Sequence, residues 1–464
     1  MRYLTIFLFL GLICWPSLVW PEPSPWPQFQ GNAKHDGCSE IVFPDSFFLA
    51  WSESLPTHNV SPYASPIVGE INGEEVVYIT TDDSVFCLSS EDGEIIWHYS
   101  TSASIGYTPA YDYEGDRLFV LDGGHLLCLN SQTGQRLWSI GLGAAEEGHI
   151  TLSGNRLYFV ATSKLFAFTF SGQLLWRTDR LGQGFWNQAP AVDDSGYIYV
   201  VALGYTNQYD YRIYKFDSTG QQIWMREGFY SEPYGPRMTP AIGPSGDVYF
   251  GLVSYGDQPS SLYSYHADGQ LFWRKTESIG LASTSPAVNN SMIIYCAYDS
   301  FVRGLDTAGH LIWTHRARNQ LSSPAITGNN LIVYGTGTNH EFQILDSAGR
   351  LIYQYDCGTG LYPLAIGRTG IYIAGGRKVF KFAATGVALS EKNTEKDNTP
   401  QRCWPSLSRD LRHFRLEEEV RIFDVNGREV FAGKGNFPRG ISRGIYFIRT
   451  DRQTKAIHKV IVVR

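Results

Sequence analysis

The side chains that could do chemistry are dispersed along this sequence, and none forms a known catalytic pattern. Seven isolated histidines have no second ligand at the spacing of a metal site: His98, His125, His149, His266, His310, His315 and His340. The sequence also lacks a C-x-x-C pair, a Walker loop, a G-x-S-x-G elbow and an H-E-x-x-H motif. We therefore expect no catalytic, cofactor-binding or metal-binding residue, and a protein that works by binding rather than by catalysis.

Residues that could anchor a binding partner are concentrated in four segments of the middle of the chain. Residues 204–212 and 254–260 are extra length inside a repeated unit, and residues 184–188 and 229–237 join successive units. Exposed Tyr, Trp and Arg dominate binding energy at interfaces, and loops on a rigid scaffold often carry function. The predicted binding rim consists of Trp186, Asn187, Tyr205, Asn207, Tyr209, Tyr211, Arg212, Tyr230, Tyr234, Arg237 and Tyr255. We expect a protein, peptide or glycan ligand; the alternative is that these tyrosine-rich hairpins only pack on one another.

These loops are positioned by a repeat in which a glycine is followed four residues later by an aromatic residue. The repeat occurs seven times, from Gly93 and Trp97 to Gly349 and Tyr353, and a weaker eighth copy begins at Gly386. Successive glycines are 37 to 49 residues apart, and a period of about 40 residues is typical of four-stranded propeller blades. The repeat predicts an all-β fold, an eight-bladed β-propeller of four-stranded blades.

The repeated aromatic residues are predicted to be structural, because a large ring at a fixed place in every unit suits wedging between adjacent blades. They are Trp97, Trp138, Trp176, Trp224, Trp273, Trp313 and Tyr353. Trp51 ends a similar strand upstream, whereas the eighth copy has three good strands and a poor fourth. Since a free sheet edge invites aggregation, we expect residues 47–52 to complete the eighth blade.

The repeat also indicates a family. The pattern small-apolar-Asp-x-x-Gly-x-x-apolar-Trp, with the upstream segment 26–37, resembles the pyrroloquinoline-quinone-like (PQQ-like) β-propeller repeat family over residues 26–390. That family includes quinoprotein alcohol dehydrogenases and non-enzymatic outer-membrane assembly lipoproteins. In the enzymes a calcium-bound quinone lies beneath a disulfide between adjacent cysteines, and this sequence has no such pair. The resemblance therefore implies the fold, while no cofactor is expected; PQQ and calcium belong only to an oxidoreductase alternative.

Both ends of the chain have features of exported proteins. Residues 1–20 combine a cationic start with a short apolar run, which predicts a secretory signal peptide. Residues 391–415 are polar and charged and predict a linker. The strand-rich residues 416–464 predict a small β-sandwich-like domain. Its Asn-Gly turn at Asn426, its Gly-Ile-Tyr-Phe motif at Gly444 and its end at Lys459 resemble the C-terminal sorting domain of type IX secretion substrates.

The sorting-domain resemblance implies the secretion machinery as a partner, and the alternative is a structural immunoglobulin-like cap. A formal charge of -7 gives no electrostatic reason to bind nucleic acid. Six cysteines outside the signal leave disulfides open, although Cys87 and Cys128 are expected to be small buried fillers.

The expected function is a non-enzymatic binding scaffold that is secreted or held at the cell surface or outer membrane. No transmembrane span is expected in the mature chain, because the apolar run of residues 4–13 is short. The alternatives are a PQQ- and calcium-dependent oxidoreductase and an outer-membrane protein assembly factor.

Overall fold

The computed structural model describes most of residues 26–384 and four strands near the C-terminus. Between 26 and 384 the positions outside the description are 45, 57–58, 62, 102–104, 144–147, 185–187, 205–209, 230–237, 253–259, 278–280, 282–283, 298 and 318–321. Near the C-terminus the described residues are 415–424, 429–436, 444–450 and 459–463. The predicted signal peptide and nearly all of the predicted linker therefore lie outside the described residues. The two parts belong to separate compact units, Met1–Ala384 and Thr385–Arg464.

The first unit contains seven sheets that each take four consecutive antiparallel strands. Blades one to three are β2 (Ile67–Ile71), β3 (Glu74–Thr80), β4 (Ser84–Ser89), β5 (Ile95–Ser100); β6 (Ala110–Asp112), β7 (Arg117–Asp122), β8 (His125–Asn130), β9 (Arg136–Gly141); β10 (Thr151–Ser153), β11 (Arg156–Ala161), β12 (Lys164–Thr169) and β13 (Leu174–Arg177). Blades four and five are β14 (Ala191–Val192), β15 (Ile198–Leu203), β16 (Asp210–Phe216), β17 (Gln222–Phe229); β18 (Ala241–Ile242), β19 (Val248–Leu252), β20 (Ser260–Tyr265) and β21 (Leu271–Glu277). Blades six and seven are β22 (Ala287–Val288), β23 (Ile293–Cys296), β24 (Phe301–Leu305), β25 (Leu311–Arg316); β26 (Ala325–Ile326), β27 (Ile332–Gly335), β28 (Glu341–Leu345) and β29 (Leu351–Asp356).

The eighth blade combines both ends of the propeller. Its inner strands are β30 (Leu364–Ile366), β31 (Ile371–Gly375) and β32 (Lys378–Ala384), and its outermost strand is β1 (Phe47–Ser54), which pairs antiparallel with β32. The innermost strand β2 contacts both β6 of the second blade and β30 of the eighth, so the eighth blade adjoins the first and the ring is closed. The prediction of an eight-bladed propeller of four-stranded blades is confirmed.

The second and third strands of each blade form most of the core. They are dense in Val, Ile, Tyr and Phe, which suit a strand covered on both faces. Strands β15 and β19 are buried along their whole length. The outermost strands, such as β21, alternate between exposed and half-buried residues.

Each outermost strand docks its aromatic residue on the next blade. At six of the junctions the indole N–H donates to a backbone carbonyl in the next blade's last turn. The pairs are Trp51 with Ser90 (3.0 Å), Trp97 with Ser131 (2.9 Å), Trp176 with Ser218 (3.0 Å), Trp224 with Ala267 (3.0 Å), Trp273 with Thr307 (3.0 Å) and Trp313 with Ser347 (3.0 Å).

The two remaining junctions depend on packing among the described residues. A Cβ added at Gly172 would lie 3.5 Å from the Trp138 ring. The Tyr353 ring tilts against Phe47 and Phe382 of the eighth blade.

The C-terminal unit contains one four-stranded antiparallel sheet among its described residues. Its strands are β33 (Arg415–Asp424), β34 (Glu429–Asn436), β35 (Gly444–Thr450) and β36 (Lys459–Val463), in the order β34-β33-β35-β36. Within the described part of the chain, no helix has the length and apolar character of a membrane-spanning segment.

Candidate functional site

The two faces of the propeller carry different connections. The turn face carries the hairpins that join the first strand of a blade to the second and the third strand to the fourth. The loop face carries the hairpins between second and third strands and the links between blades. In chain order, the four segments of the predicted binding rim connect a second strand to a third or join one blade to the next. Nine rim residues lie outside the described residues: Trp186, Asn187, Tyr205, Asn207, Tyr209, Tyr230, Tyr234, Arg237 and Tyr255.

The two described rim residues lie on β16, at the junction of blades four and five. Tyr211 is 2% exposed, and its hydroxyl lies 2.9 Å from the hydroxyl of Tyr265. Burial raises the pKa of the Tyr211 phenol. A Cβ added at Gly228 would lie 2.4 Å from the Tyr211 ring, so this ring is closely packed. Arg212 pairs with Glu227 across β16 and β17 (2.9 Å). Tyr211 therefore packs between blades and does not present its ring to a ligand.

The ring axis is filled by residues 26–41, which we call the axial segment. The second residue of the innermost strand of seven blades donates its backbone N–H to this segment. The pairs are Val68 with Trp26 (2.8 Å), Tyr111 with Pro27 (2.8 Å), Leu152 with the Gln28 side chain (2.7 Å), Val192 with Ala33 (2.7 Å), Ile242 with Lys34 (2.9 Å), Val288 with Asp36 (2.7 Å) and Ile326 with Gly37 (2.8 Å). Sequence reasoning used residues 26–37 only to identify a family and missed this role.

A buried imidazole holds the centre of the axial segment. His35 is fully buried; its Nδ1 donates to the Phe29 carbonyl (2.7 Å), and its Nε2 lies 2.8 Å from Thr151 Oγ1. Burial lowers the pKa of His35 to about 4, although the backbone carbonyls of Phe29 and Pro190 favour its charged form. The Phe29 ring stacks on His149 at 4.1 Å. His35 is therefore a neutral structural group near neutral pH.

A belt of side chains links neighbouring blades around the axis. In four of five pairs the residue before the proline of one blade accepts the backbone N–H of the corresponding residue in the blade before it, and in the fifth pair the acceptor is His149, which precedes Ile150. The donor and acceptor pairs are Ser65 to Thr108 (2.9 Å), Thr108 to His149 (3.0 Å), Ala189 to Thr239 (2.9 Å), Thr239 to Ser285 (3.1 Å) and Ser285 to Ser323 (3.0 Å). The Ser-Pro and Thr-Pro pattern of the sequence thus serves blade-to-blade hydrogen bonding.

Comparisons with known proteins connect this architecture to envelope proteins and enzymes. Residues 49–149 and 122–252 match the family described as outer membrane protein assembly factor BamB. The tetrathionate hydrolase of Acidithiobacillus ferrooxidans is 23% identical over 338 residues, which cover 67% of this chain and 64% of the hydrolase. BamB from Moraxella catarrhalis superposes with a TM-score of 0.54 at 16% identity, covering 73% of this chain and 98% of that chain. Quinohemoprotein alcohol dehydrogenase from Comamonas testosteroni superposes with a TM-score of 0.63 at 13% identity, covering 84% of each chain.

Residues 49–252 are thus similar to a family of PQQ-like repeat propellers. The match spans less than two thirds of the length of the hydrolase. At the identities of the two solved structures, the likeness shows the fold alone.

The resemblance to PQQ-like proteins could imply a calcium-bound quinone on the ring axis. Among the described residues, no group of three or more His, Cys, Asp or Glu side chains could hold a metal ion. The axis is closed by the axial segment at the level of the innermost strands. Cys87 and Cys128 are buried free thiols, as are Cys296 and Cys357, and Cys38 is a half-buried free thiol. The described residues therefore do not fit a calcium-bound quinone on the axis at this level.

Proposed function

We propose that the protein is a non-enzymatic binding scaffold whose loop face binds a protein, peptide or glycan. The observation that carries this proposal is the axial segment: the chain fills its own axis with hydrogen bonds to seven blades. A ligand is then expected on a face of the ring rather than within it. The packed junction beneath the loop face, with Tyr211 against Tyr265, supports a rigid base for the rim segments.

The rim is tested by a binding screen with peptide and glycan arrays, followed by affinity measurements with whatever ligand is found. Replacing both Tyr209 and Tyr234 by Ala should weaken binding about tenfold or more, because tyrosines are frequent interface hot spots. The matched control is Tyr113→Ala, which removes a tyrosine from the turn that joins β6 to β7 on the opposite face. Unchanged affinity of the double variant, or an equal loss in the control, would remove the rim from consideration.

We further propose export by a signal peptide and by a C-terminal sorting domain, to the cell surface or the medium. The match to an outer-membrane assembly family supports an envelope location. Surface proteolysis of cells that express the full chain, or a chain lacking residues 420–464, tests the sorting role. Protease access should be lost on deletion, and equal access in both strains would contradict it.

Two alternatives are tested directly. A quinoprotein would show cofactor absorbance and dye-linked alcohol oxidation after incubation with PQQ and calcium. The hydrolase relative suggests a separate assay, in which the consumption of tetrathionate by the protein is measured without a dye. An assembly factor, the alternative that the family match favours, would bind unfolded outer-membrane protein segments by strand addition.

A further inference from the structure

A polar groove lies on the turn face between blades three and four, away from the predicted rim. Its volume is about 660 Å³, within the range of about 300–1,000 Å³ typical of small-molecule sites. Its walls are the turn at Ser153–Arg156 and the turn at Asp193–Gly196, and residues 32–34 of the axial segment form its inner end.

Among the described residues, no hydrogen bond or ion pair joins these two turns, whereas such pairs join neighbouring blades at two other junctions. Between blades six and seven, Asn289 donates to Asn330 across the corresponding turns (2.8 Å). Between blades eight and one, Arg368 pairs with Glu70 (3.1 Å). At blades three and four, Arg156 extends outward to the Ser218 carbonyl instead.

Arg156 lines the groove and uses only part of its guanidinium in hydrogen bonds to the described residues. Only its Nη1 has a hydrogen-bond partner in the described chain, and that partner is a neutral carbonyl. Nε and Nη2 form the parallel donor edge of a guanidinium, which matches the two oxygens of a carboxylate. Among the described residues, no carboxylate forms an ion pair with Arg156.

The acidic groups of the groove are already engaged. Asp193 accepts from the backbone N–H groups of Ser195 (3.0 Å) and Tyr197 (2.9 Å) and from the Tyr199 hydroxyl (3.1 Å). Asp194 pairs with Lys34 (3.3 Å). The two carboxylates thus bind partners other than Arg156, and the Arg156 guanidinium remains available to an anionic group of a ligand. The rest of its lining offers hydroxyl and amide groups at Ser153, Asn155 and Ser195.

We propose that this groove binds an acidic saccharide, with the carboxylate of a uronic acid on the free edge of Arg156. The sugar hydroxyls then bind to the neutral polar groups of the two turns. The site is separate from the loop face and does not depend on the function proposed there.

Calorimetric titration of the full chain with digalacturonate tests the proposal. Arg156→Gln should weaken binding about tenfold or more, because a hydrogen bond to a charged group contributes about 1.5–3 kcal/mol. The matched control is Arg177→Gln, the same change of charge on the exposed strand β13 of the same blade, which should leave affinity unchanged. Neutral digalactose and sodium sulfate should each bind at least about tenfold more weakly than digalacturonate.

The unfolding midpoint of each variant separates ligand loss from misfolding. If Arg156→Gln does not fold, Asn155→Ala replaces it as the test variant. Asn155 is exposed and has no hydrogen-bond partner among the described residues, so its substitution should not affect folding. Asn155→Ala should weaken the binding of digalacturonate about threefold. The proposal fails if digalacturonate does not bind, or if a folded Arg156→Gln binds it like the wild type. It also fails if sulfate or digalactose binds equally well, or if Asn155→Ala, used in place of an unfolded Arg156→Gln, leaves affinity unchanged.

Discussion

His35 shows how one buried side chain makes the stability of this propeller depend on pH. Burial lowers its pKa from 6.5 to about 4 in the folded chain. The unfolded chain therefore binds more protons between these two values, so stability falls as the pH drops from 6.5 towards 4. A shift of about 2.5 units corresponds to about 3 kcal/mol. We expect His35→Asn to flatten the pH dependence of unfolding by about this amount, since Asn does not titrate and tolerates the left-handed backbone of this position (φ 52°).

Urea unfolding of the wild type and His35→Asn at pH values from 4 to 7 measures this difference. The variant loses hydrogen bonds at every pH, so its absolute free energy of unfolding is not informative. The slope of that free energy against pH is the quantity to compare. Parallel curves for the two proteins would contradict the assigned role of His35.

The roles of single residues were the least predictable part of this protein. The sequence placed Tyr211 on a binding rim because it follows an inserted loop, but the structure buries its ring against blade five. His35 and Gln28 contact strands that lie over 100 residues away in the chain. A local pattern cannot report such contacts, because they exist only after the ring closes.

At the scale of elements, the repeated turn glycine meets two requirements, a left-handed backbone and close packing of the neighbouring blade's indole, and two substitutions can separate them. Gly220 has a φ of +86°, and a Cβ there would lie 2.7 Å from the Trp176 ring. Gly196 has a φ of +81° but has nothing within 4 Å of an added Cβ. Both substitutions to Ala should cost about 1–2 kcal/mol for the left-handed conformation. Gly220→Ala should cost about 1 kcal/mol more, because the displaced indole loses its hydrogen bond to Ser218.

Chemical denaturation of the two glycine variants measures the difference. Equal destabilisation of the two variants would show that the left-handed backbone alone explains why glycine recurs at this turn. Docking of the indole would then make no measurable contribution to stability.

The elements themselves were predictable, because the same pattern is repeated along one chain. Even the departure in the third blade has a physical explanation. That blade lacks both the proline and the hydroxyl-bearing residue before it. His149 takes the place of that hydroxyl as the acceptor of the Thr108 backbone N–H (3.0 Å). Thr151 Oγ1 in turn lies 2.7 Å from the Pro190 carbonyl oxygen. The belt of hydrogen bonds thus continues through the third blade, although the sequence pattern did not indicate it there.

At the scale of the whole molecule, the junction between the last and first blades has polar reinforcement in addition to β1. The Glu75 carboxylate accepts from the hydroxyls of Tyr372 and Thr369, both at 2.7 Å. Buried Lys381 donates to the Ser90 carbonyl (2.6 Å), and burial lowers the pKa of Lys381 to about 8. These pairs join residues about 290 positions or more apart in sequence. The alternating strand at 47–52 indicated closure from the sequence, whereas this polar junction became visible only in three dimensions.

Closure by β1 predicts that damage at one junction weakens the whole ring. Trp51 is 9% exposed, donates to the Ser90 carbonyl and packs on Gly93 of the first blade. Trp51→Ala should therefore destabilise the propeller by about 3–5 kcal/mol, the usual cost of removing a buried tryptophan. The loss should appear as a lower midpoint of a single transition, because each blade depends on both of its neighbours and the ring has no free end from which to unfold. Urea unfolding, followed by tryptophan fluorescence and by far-ultraviolet circular dichroism, measures this loss. The control is Ile96→Ala on the exposed side of β5, whose free energy of unfolding should stay within about 0.5 kcal/mol of the wild type. If fluorescence and circular dichroism report an early and a late transition, blade eight unfolds alone and the ring is not one cooperative unit. If both midpoints shift together, strand β1 holds all eight blades in one folding equilibrium.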